Sequence, residues 1–298
     1  MALTSAGIIA LPHSRGTKFD HGAFDPKSRR VFVAHTARDS VEIIDVDTRS
    51  HVATLAGFPE AAGVAADEGC VLVTNRGAAS LAWLDADTLQ TRAVLKTAPR
   101  PNGVAIVTPW QVAVVACLGD QSQGPELQIH SFEHEERWSI ELPGAPRWCV
   151  VDAKRKRVFL AIRDPSMVLV ASLPKLEEVQ HWLLPAQGAH GMDINHGADL
   201  LYVACDGGSL VEIDSQAGTI RREWPLAGVP DATFFNPASG LVHVAISDPG
   251  LIESIDPAAG RNTRFATARG AKTTALIVPD RLYVFSPLHE GVLDLVGA

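Results

Sequence analysis

No stretch of this sequence approaches the roughly 18 consecutive apolar residues of a membrane-spanning helix, and no membrane partner is expected. Basic charge is also short. Against 34 Asp and Glu stand 26 Lys and Arg, a formal net charge of −8, whereas a general nucleic-acid binder turns a clustered basic face to phosphates. The one dense basic run, Lys154, Arg155, Lys156 and Arg157, reads as a solvated hairpin tip. The N-terminal MALTSAGIIALPHSRG has no basic segment ahead of its short apolar run, so it does not read as a secretion signal. Four cysteines, Cys70, Cys117, Cys149 and Cys205, each fall in or beside an apolar strand of a different segment. They read as buried free thiols in a reducing compartment, and a cytoplasmic location is the expectation; a secreted form already relieved of its signal would look the same. No Ser-, Gln- or charge-rich tract marks a linker, and Gly and Pro are spread among the turns. The 298 residues read as one domain. There is no GxSxG elbow, P-loop, GxGxxG, CxxC or HExxH, which removes the sequence support for serine hydrolase, nucleotide and dithiol chemistry.

What is present is a repeat. Residues 231–256, DATFFNPASGLVHVAISDPGLIESID, run from a polar opening residue through a short apolar strand, a turn, a VHVA strand, a polar loop and a third strand ending in Asp. The pattern recurs with openers Asp20, Ala62, Asn102, Arg147, His190, Asp231 and Lys272, spaced 42, 40, 45, 43, 41 and 41 residues apart. Several short strands at this period predict propeller blades rather than a helical solenoid. The expected fold is all-β, a seven-bladed β-propeller of four-stranded antiparallel blades. The last repeat supplies three strands, TTALIV, RLYVFS and GVLDLV, so residues 6–11, AGIIAL, are expected to complete it. Such closure leaves few free strand edges.

Val71 to Asn75, VLVTN, followed by LDADT, resembles the YVTN-type propeller repeat, and VFVAH with IIDVDT resembles a second copy. The resemblance covers residues 20–296 and implies a propeller with varied ligands and no shared catalytic residue. PNG at 101–103 and PD at 230–231 resemble, more distantly, the metal-ligand motifs of senescence-marker and gluconolactonase propellers. The acidic ligand those proteins carry near the start of the fold has only Asp20 or Glu60 as counterparts here.

A propeller brings the start of each first strand and the end of each second strand to one rim, around a central channel. Six of the seven openers are polar or ionisable, and second strands end near His35, Arg76, Cys117, Arg163, Asp206, Asp248 and His289. Residues at a solvated opening are polar also because water reaches them; as a binding surface, they suit a small polar or anionic ligand. Arg76, Asn102, Arg147, Arg163, Asp206, Lys272 and His289 are the candidate ligand contacts, the arginines through bidentate hydrogen bonds. Asp20, His21, His35, His190 and Asp231 offer the imidazole and carboxylate donors of a divalent metal site. Three functions stay open: a module binding a small ligand with or without a metal; a metal-dependent hydrolase or lyase of lactonase or esterase type, the ion acidifying a water; or a scaffold for a protein partner. Asp45 with Asp47 and Asp85 with Asp87 read as turn carboxylates. His130 and His134 bracket an acidic segment that reads as an exposed connection.

Overall fold

The computed structural model describes residues 2–132 and 137–298, so His134 lies outside the described residues. The chain forms seven four-stranded antiparallel sheets, six of them in simple sequential order, the blades of a seven-bladed β-propeller. Blade 1 comprises Gly22–Asp25, Arg30–His35, Ser40–Asp45 and Ser50–Ala56. Blades 2 to 6 span residues 61–96, 101–141, 146–183, 189–225 and 230–266. Blade 7 takes Thr273–Ile277, Arg281–Ser286 and Gly291–Val296, and its fourth strand is the N-terminal Thr4–Ala10, paired antiparallel with Gly291–Val296 as the short repeat required.

Two compact units divide the chain. One holds blades 1 to 4, Phe19–Leu183; the other holds blades 5 to 7 with the N-terminal strand, Met1–Lys18 and Leu184–Ala298. In the first, Phe32, Ala34 and Val41 of blade 1 pack on Val64, Val71, Val73 and Ala82 of blade 2. The same face-to-face packing joins blade 2 to blade 3 through Leu72, Leu81, Ala113 and Val115, and blade 3 to blade 4 through Val114, Leu127, Val158 and Leu160. In the second unit Tyr202, Ala204 and Leu210 of blade 5 meet Phe235, Val242 and Val244 of blade 6. Strands covered on both sides are apolar on both sides, which accounts for VLV, VAVVA and LYVA in second strands.

The remote turns follow the sequence expectation. Asp45 accepts hydrogen bonds from the N–H of Thr48 (2.7 Å) and Asp85 from that of Thr88 (2.7 Å), so these carboxylates close turns. Lys154, Arg155 and Lys156 lie in the turn between Pro146–Asp152 and Arg157–Ile162, which Arg157 opens, and Arg155 pairs with Asp152 at 2.9 Å. The four cysteines are free thiols; burial pushes each up to about 12, which leaves them protonated and unreactive at neutral pH. His130 belongs to a third strand, buried beside Gln128 rather than exposed.

The first strands carry a recurrent irregularity. In blades 2 to 6 the pairing with the second strand slips between Ala61 and Val64, Pro101 and Val104, Pro146 and Cys149, Ala189 and Met192, and Pro230 and Thr233. The two residues skipped are the repeat's opener and its successor. Three successors are glycine because a Cβ would strike the carbonyl oxygen of the next opener: Gly63 that of Asn102, Gly103 that of Arg147 (2.5 Å) and Gly191 that of Asp231. At two successors that are not glycine a hydrogen bond spans the same approach, from His21 N–H to Ala62 O at 3.1 Å and from Ala232 N–H to Lys272 O at 3.4 Å. Gly63→Ala is therefore expected to cost about 1–3 kcal/mol, the usual range for overpacking, in urea unfolding. Gly124→Ala, where an added Cβ meets nothing within 4 Å, is the control; equal midpoints for the two variants would contradict this packing.

Candidate functional site

A bulge turns its extra residues out of the hydrogen-bond ladder and re-aims their side chains. The openers of blades 2 to 6 are thereby freed, and Asp20 and Lys272 stand ahead of the first strands of blades 1 and 7, so openers meet one another within each unit.

In the unit of blades 1 to 4, Arg76 occupies the centre of one such group. It follows the second strand of blade 2 and pairs with Asp20 at 2.7 Å on one side while donating to the Asn102 side-chain oxygen on the other. The opener of its own blade is Ala62, the smallest of the seven. The guanidinium thus links the openers of the two blades that flank its own. His21 lies 3.4 Å from Asp20, and its ring meets that of Trp148, from blade 4, with centroids 4.2 Å apart. His21 and Trp148 are the two bulky exceptions at the successor position, and they contact each other. Sequence reasoning gave Trp148 no role; its standing as the other large residue at that position was the available signal. Arg147 is half-buried at the blade 4 bulge, and Arg163 is exposed, its N–H donating to Ala145 O at 3.0 Å.

In the unit of blades 5 to 7 the openers form a chain of alternating charge. His190 Nδ1 lies 2.8 Å from Asp206 Oδ1, and its Nε2 lies 4.0 Å from Asp231 Oδ1. Lys272 Nζ approaches the other oxygen, Asp231 Oδ2, at 2.9 Å. All four side chains are reachable from solvent, with exposures of 21% for His190, 15% for Asp206, 17% for Asp231 and 40% for Lys272. Backbone geometry sets Asp206 in place: its N–H donates to Gly188 O (2.8 Å), and Gly207 N–H donates to Gln187 O (2.9 Å). Gly188 sits at φ +76°, and a Cβ there would fall 2.7 Å from that of Asp206. Glycine is what admits the carboxylate beside His190.

Two expected contacts lie elsewhere. His289 is exposed and lines an apolar groove of about 410 Å³ with Phe265, Thr267 and Leu288. His35 is fully buried: its ring stacks on Phe19, centroids 4.2 Å apart, and Nδ1 meets Glu42 Oε1 at 2.7 Å. Glu42 also engages His51 at 3.0 Å, Thr54 at 2.5 Å and Ser40 at 3.2 Å. This position, three residues before the end of a third strand, is buried and polar in two other blades. There Gln128 accepts from Ala98 N–H at 3.1 Å and Glu253 from Ala227 N–H at 2.9 Å. His35 thus belongs to a structural network inside blade 1.

The proposed metal donors divide between the two units. Asp20 is held by Arg76 and Asp231 by Lys272, and among the described residues no group of three or more His, Cys, Asp or Glu side chains is arranged to hold an ion. As they stand, these side chains do not fit a metal centre. No helix among the described residues is long and apolar enough to cross a membrane.

No family model matches the chain, and no curated protein matches it. Solved structures do. Hydrazine synthase of Kuenenia stuttgartiensis aligns with a TM-score of 0.82 at 14% identity over 99% of both chains. A streptogramin B lyase structure aligns with a TM-score of 0.81 at 11% identity over 99% of this chain and 98% of that one. Both likenesses are of fold, the seven-bladed β-propeller. The YVTN-type and gluconolactonase-type names rest on short motifs alone.

The Glu42 network carries a pH signature. Burial pushes this carboxyl up, but the hydrogen bonds from His35, Thr54 and His51 together with the His35 charge outweigh it and hold the group below its ordinary value of 4.5. A carboxylate with a depressed folded-state pKa adds stability above its unfolded value and loses it as pH falls through the folded one. Glu42→Gln is expected to lower stability at pH 7 by about 1–3 kcal/mol. That deficit, followed by urea unfolding across pH, should shrink as pH drops below about 4.5; a deficit constant down to pH 3 would show that the charge is not involved.

Proposed function

We propose that the chain binds a small polar ligand at His190, Asp206, Asp231 and Lys272. The observation that carries this reading is the combination of both signs of charge with partial exposure in one contiguous group drawn from three blades. A ligand with hydroxyl or carbonyl oxygens gains a donor from Lys272 and acceptors from His190 Nε2 and Asp231, with Asp206 orienting the His190 ring. Arg76 and Asn102, by contrast, are committed to each other and to Asp20.

A divalent ion as part of this site would require Asp231 to release Lys272, or Asp20 to release Arg76, so the reading is metal-free. The name of a lyase among the structural neighbours belongs to that protein; it agrees with the alternative that the site acts on what it binds, taken up below.

Calorimetric titration with a panel of small polyols, hydroxy ketones, hydroxy acids and amino acids tests the proposal. Lys272→Ala and Asp231→Ala are expected to weaken any ligand bound by the wild-type chain at least 10-fold, about 1.4 kcal/mol. Arg163→Ala should leave affinity unaltered, and dialysis against a chelator should too. A wild-type chain that binds no panel member, or variants that bind as tightly as it does, would defeat the reading; loss of binding with the chelator would replace it with a metal-dependent one.

A further inference from the structure

The geometry points to His190 as a catalytic base that removes a proton from the carbon next to a bound carbonyl group. This rests on the ligand site just proposed and adds a reaction to it. Asp206, as a carboxylate, can only accept, so the 2.8 Å contact at Nδ1 assigns the ring proton to that nitrogen and leaves the lone pair on Nε2. Nε2 is turned toward Asp231, which at 4.0 Å lies beyond hydrogen-bond reach and as a carboxylate has no proton to give. Beside it stands the Lys272 ammonium, paired with Asp231 at 2.9 Å. The four side chains include no serine, threonine or cysteine, so acyl transfer to a hydroxyl or thiol is not among the chemistries they support.

A base and a fixed cation are sufficient for enolisation. The C–H bond breaks, its proton passes to Nε2, and its electron pair forms the C=C bond of an enolate whose oxygen carries the negative charge opposite Lys272. The imidazolium so produced has the Asp206 carboxylate at 2.8 Å on Nδ1 and the Asp231 carboxylate at 4.0 Å from Nε2. Return of the proton to the same carbon restores the compound; return to the adjoining carbon of a hydroxy ketone or hydroxy aldehyde, with the hydroxyl proton passing from its own oxygen to the enolate oxygen, isomerises it. Neither outcome requires an oxidant, a reductant or a second substrate. Two carboxylates in the site disfavour anions, so the substrate class is an uncharged carbonyl compound bearing a neighbouring C–H. Asp206 acts through His190 and is a positioning residue.

Proton NMR in D2O tests this on the full chain with dihydroxyacetone, glyceraldehyde and every carbonyl compound of the binding panel. Deuterium is expected to replace the hydrogen next to the carbonyl faster than in buffer. His190→Gln should slow this at least 100-fold, within the usual range for loss of a general base. Asp206→Asn should lower kcat with little change in KM, and nitrogen-resolved NMR of the His190 ring should show the proton redistributed toward Nε2. His196→Gln, at an exposed turn, should exchange at the wild-type rate. Binding without exchange, or equal exchange by His190→Gln, overturns this inference and leaves the binding site standing; absence of binding removes both. Should His190→Gln fail to fold, Asp206→Asn and the wild-type ring resonances decide, since a ring protonated at Nε2 also overturns it.

Discussion

Within each unit the first strands of neighbouring blades approach so closely that the residue after the opener meets the carbonyl of the next opener, and this contact governs what the fold can do. Gly63, Gly103 and Gly191 admit the carbonyls of Asn102, Arg147 and Asp231 where any Cβ would collide. His21 and Ala232 instead donate their N–H groups across the same gap. Backbones this close force the opener side chains to share a small volume. The bulge that skips opener and successor in five blades removes those residues from the ladder without breaking the strand. Crowding and release together explain why residues 40 or more positions apart become immediate neighbours.

Charges crowded in this way resolve by pairing, and the pairing differs between the two units. Around blade 2 a single arginine satisfies both flanking openers because its own opener, Ala62, leaves it room. Around blades 5 and 6 the opener is itself a histidine, and the carboxylates on either side of its ring produce a chain that ends on Lys272. The first arrangement uses its cation as a clasp between blades. The second leaves an imidazole and an ammonium where solvent reaches them.

The fold was legible because its signal is periodic. Seven copies of an apolar strand pattern at nearly constant spacing report blade number directly, and the short seventh copy reports that residues near the N-terminus must supply the missing strand. The openers were legible for the same reason: polar residues at a fixed place in an apolar repeat stand out. Their partners were not. Nothing in the repeat tells that Arg76 bypasses Ala62 to reach Asn102, or that His21 meets Trp148 from three blades away, since both depend on side-chain lengths measured across neighbouring sheets. The bulges were hidden too, although three glycines after openers were their trace. His35 looked like a ligand from its place at a second-strand end, but its fate is set by Glu42, a third-strand residue whose significance appears only on comparison with Gln128 and Glu253.

Blade 1 and blade 5 each join a histidine Nδ1 to a carboxylate, at 2.7 Å and 2.8 Å. Distance therefore cannot separate their roles; surroundings do. Glu42 spends its oxygens on His35, His51, Thr54 and Ser40, and the His35 ring is enclosed against Phe19 with no access to water. A proton arriving there has no route in, and a ligand has no face to touch, so the pair serves folding alone. His190 has the same orienting contact on one nitrogen, but its other nitrogen is directed toward a carboxylate too distant to bond and toward solvent. An oriented imidazole with an accessible edge is the arrangement in which proton transfer to a bound molecule becomes geometrically possible. The contrast separates the solvent-reachable histidine of blade 5 from the superficially similar pair of blade 1, which belongs to the framework.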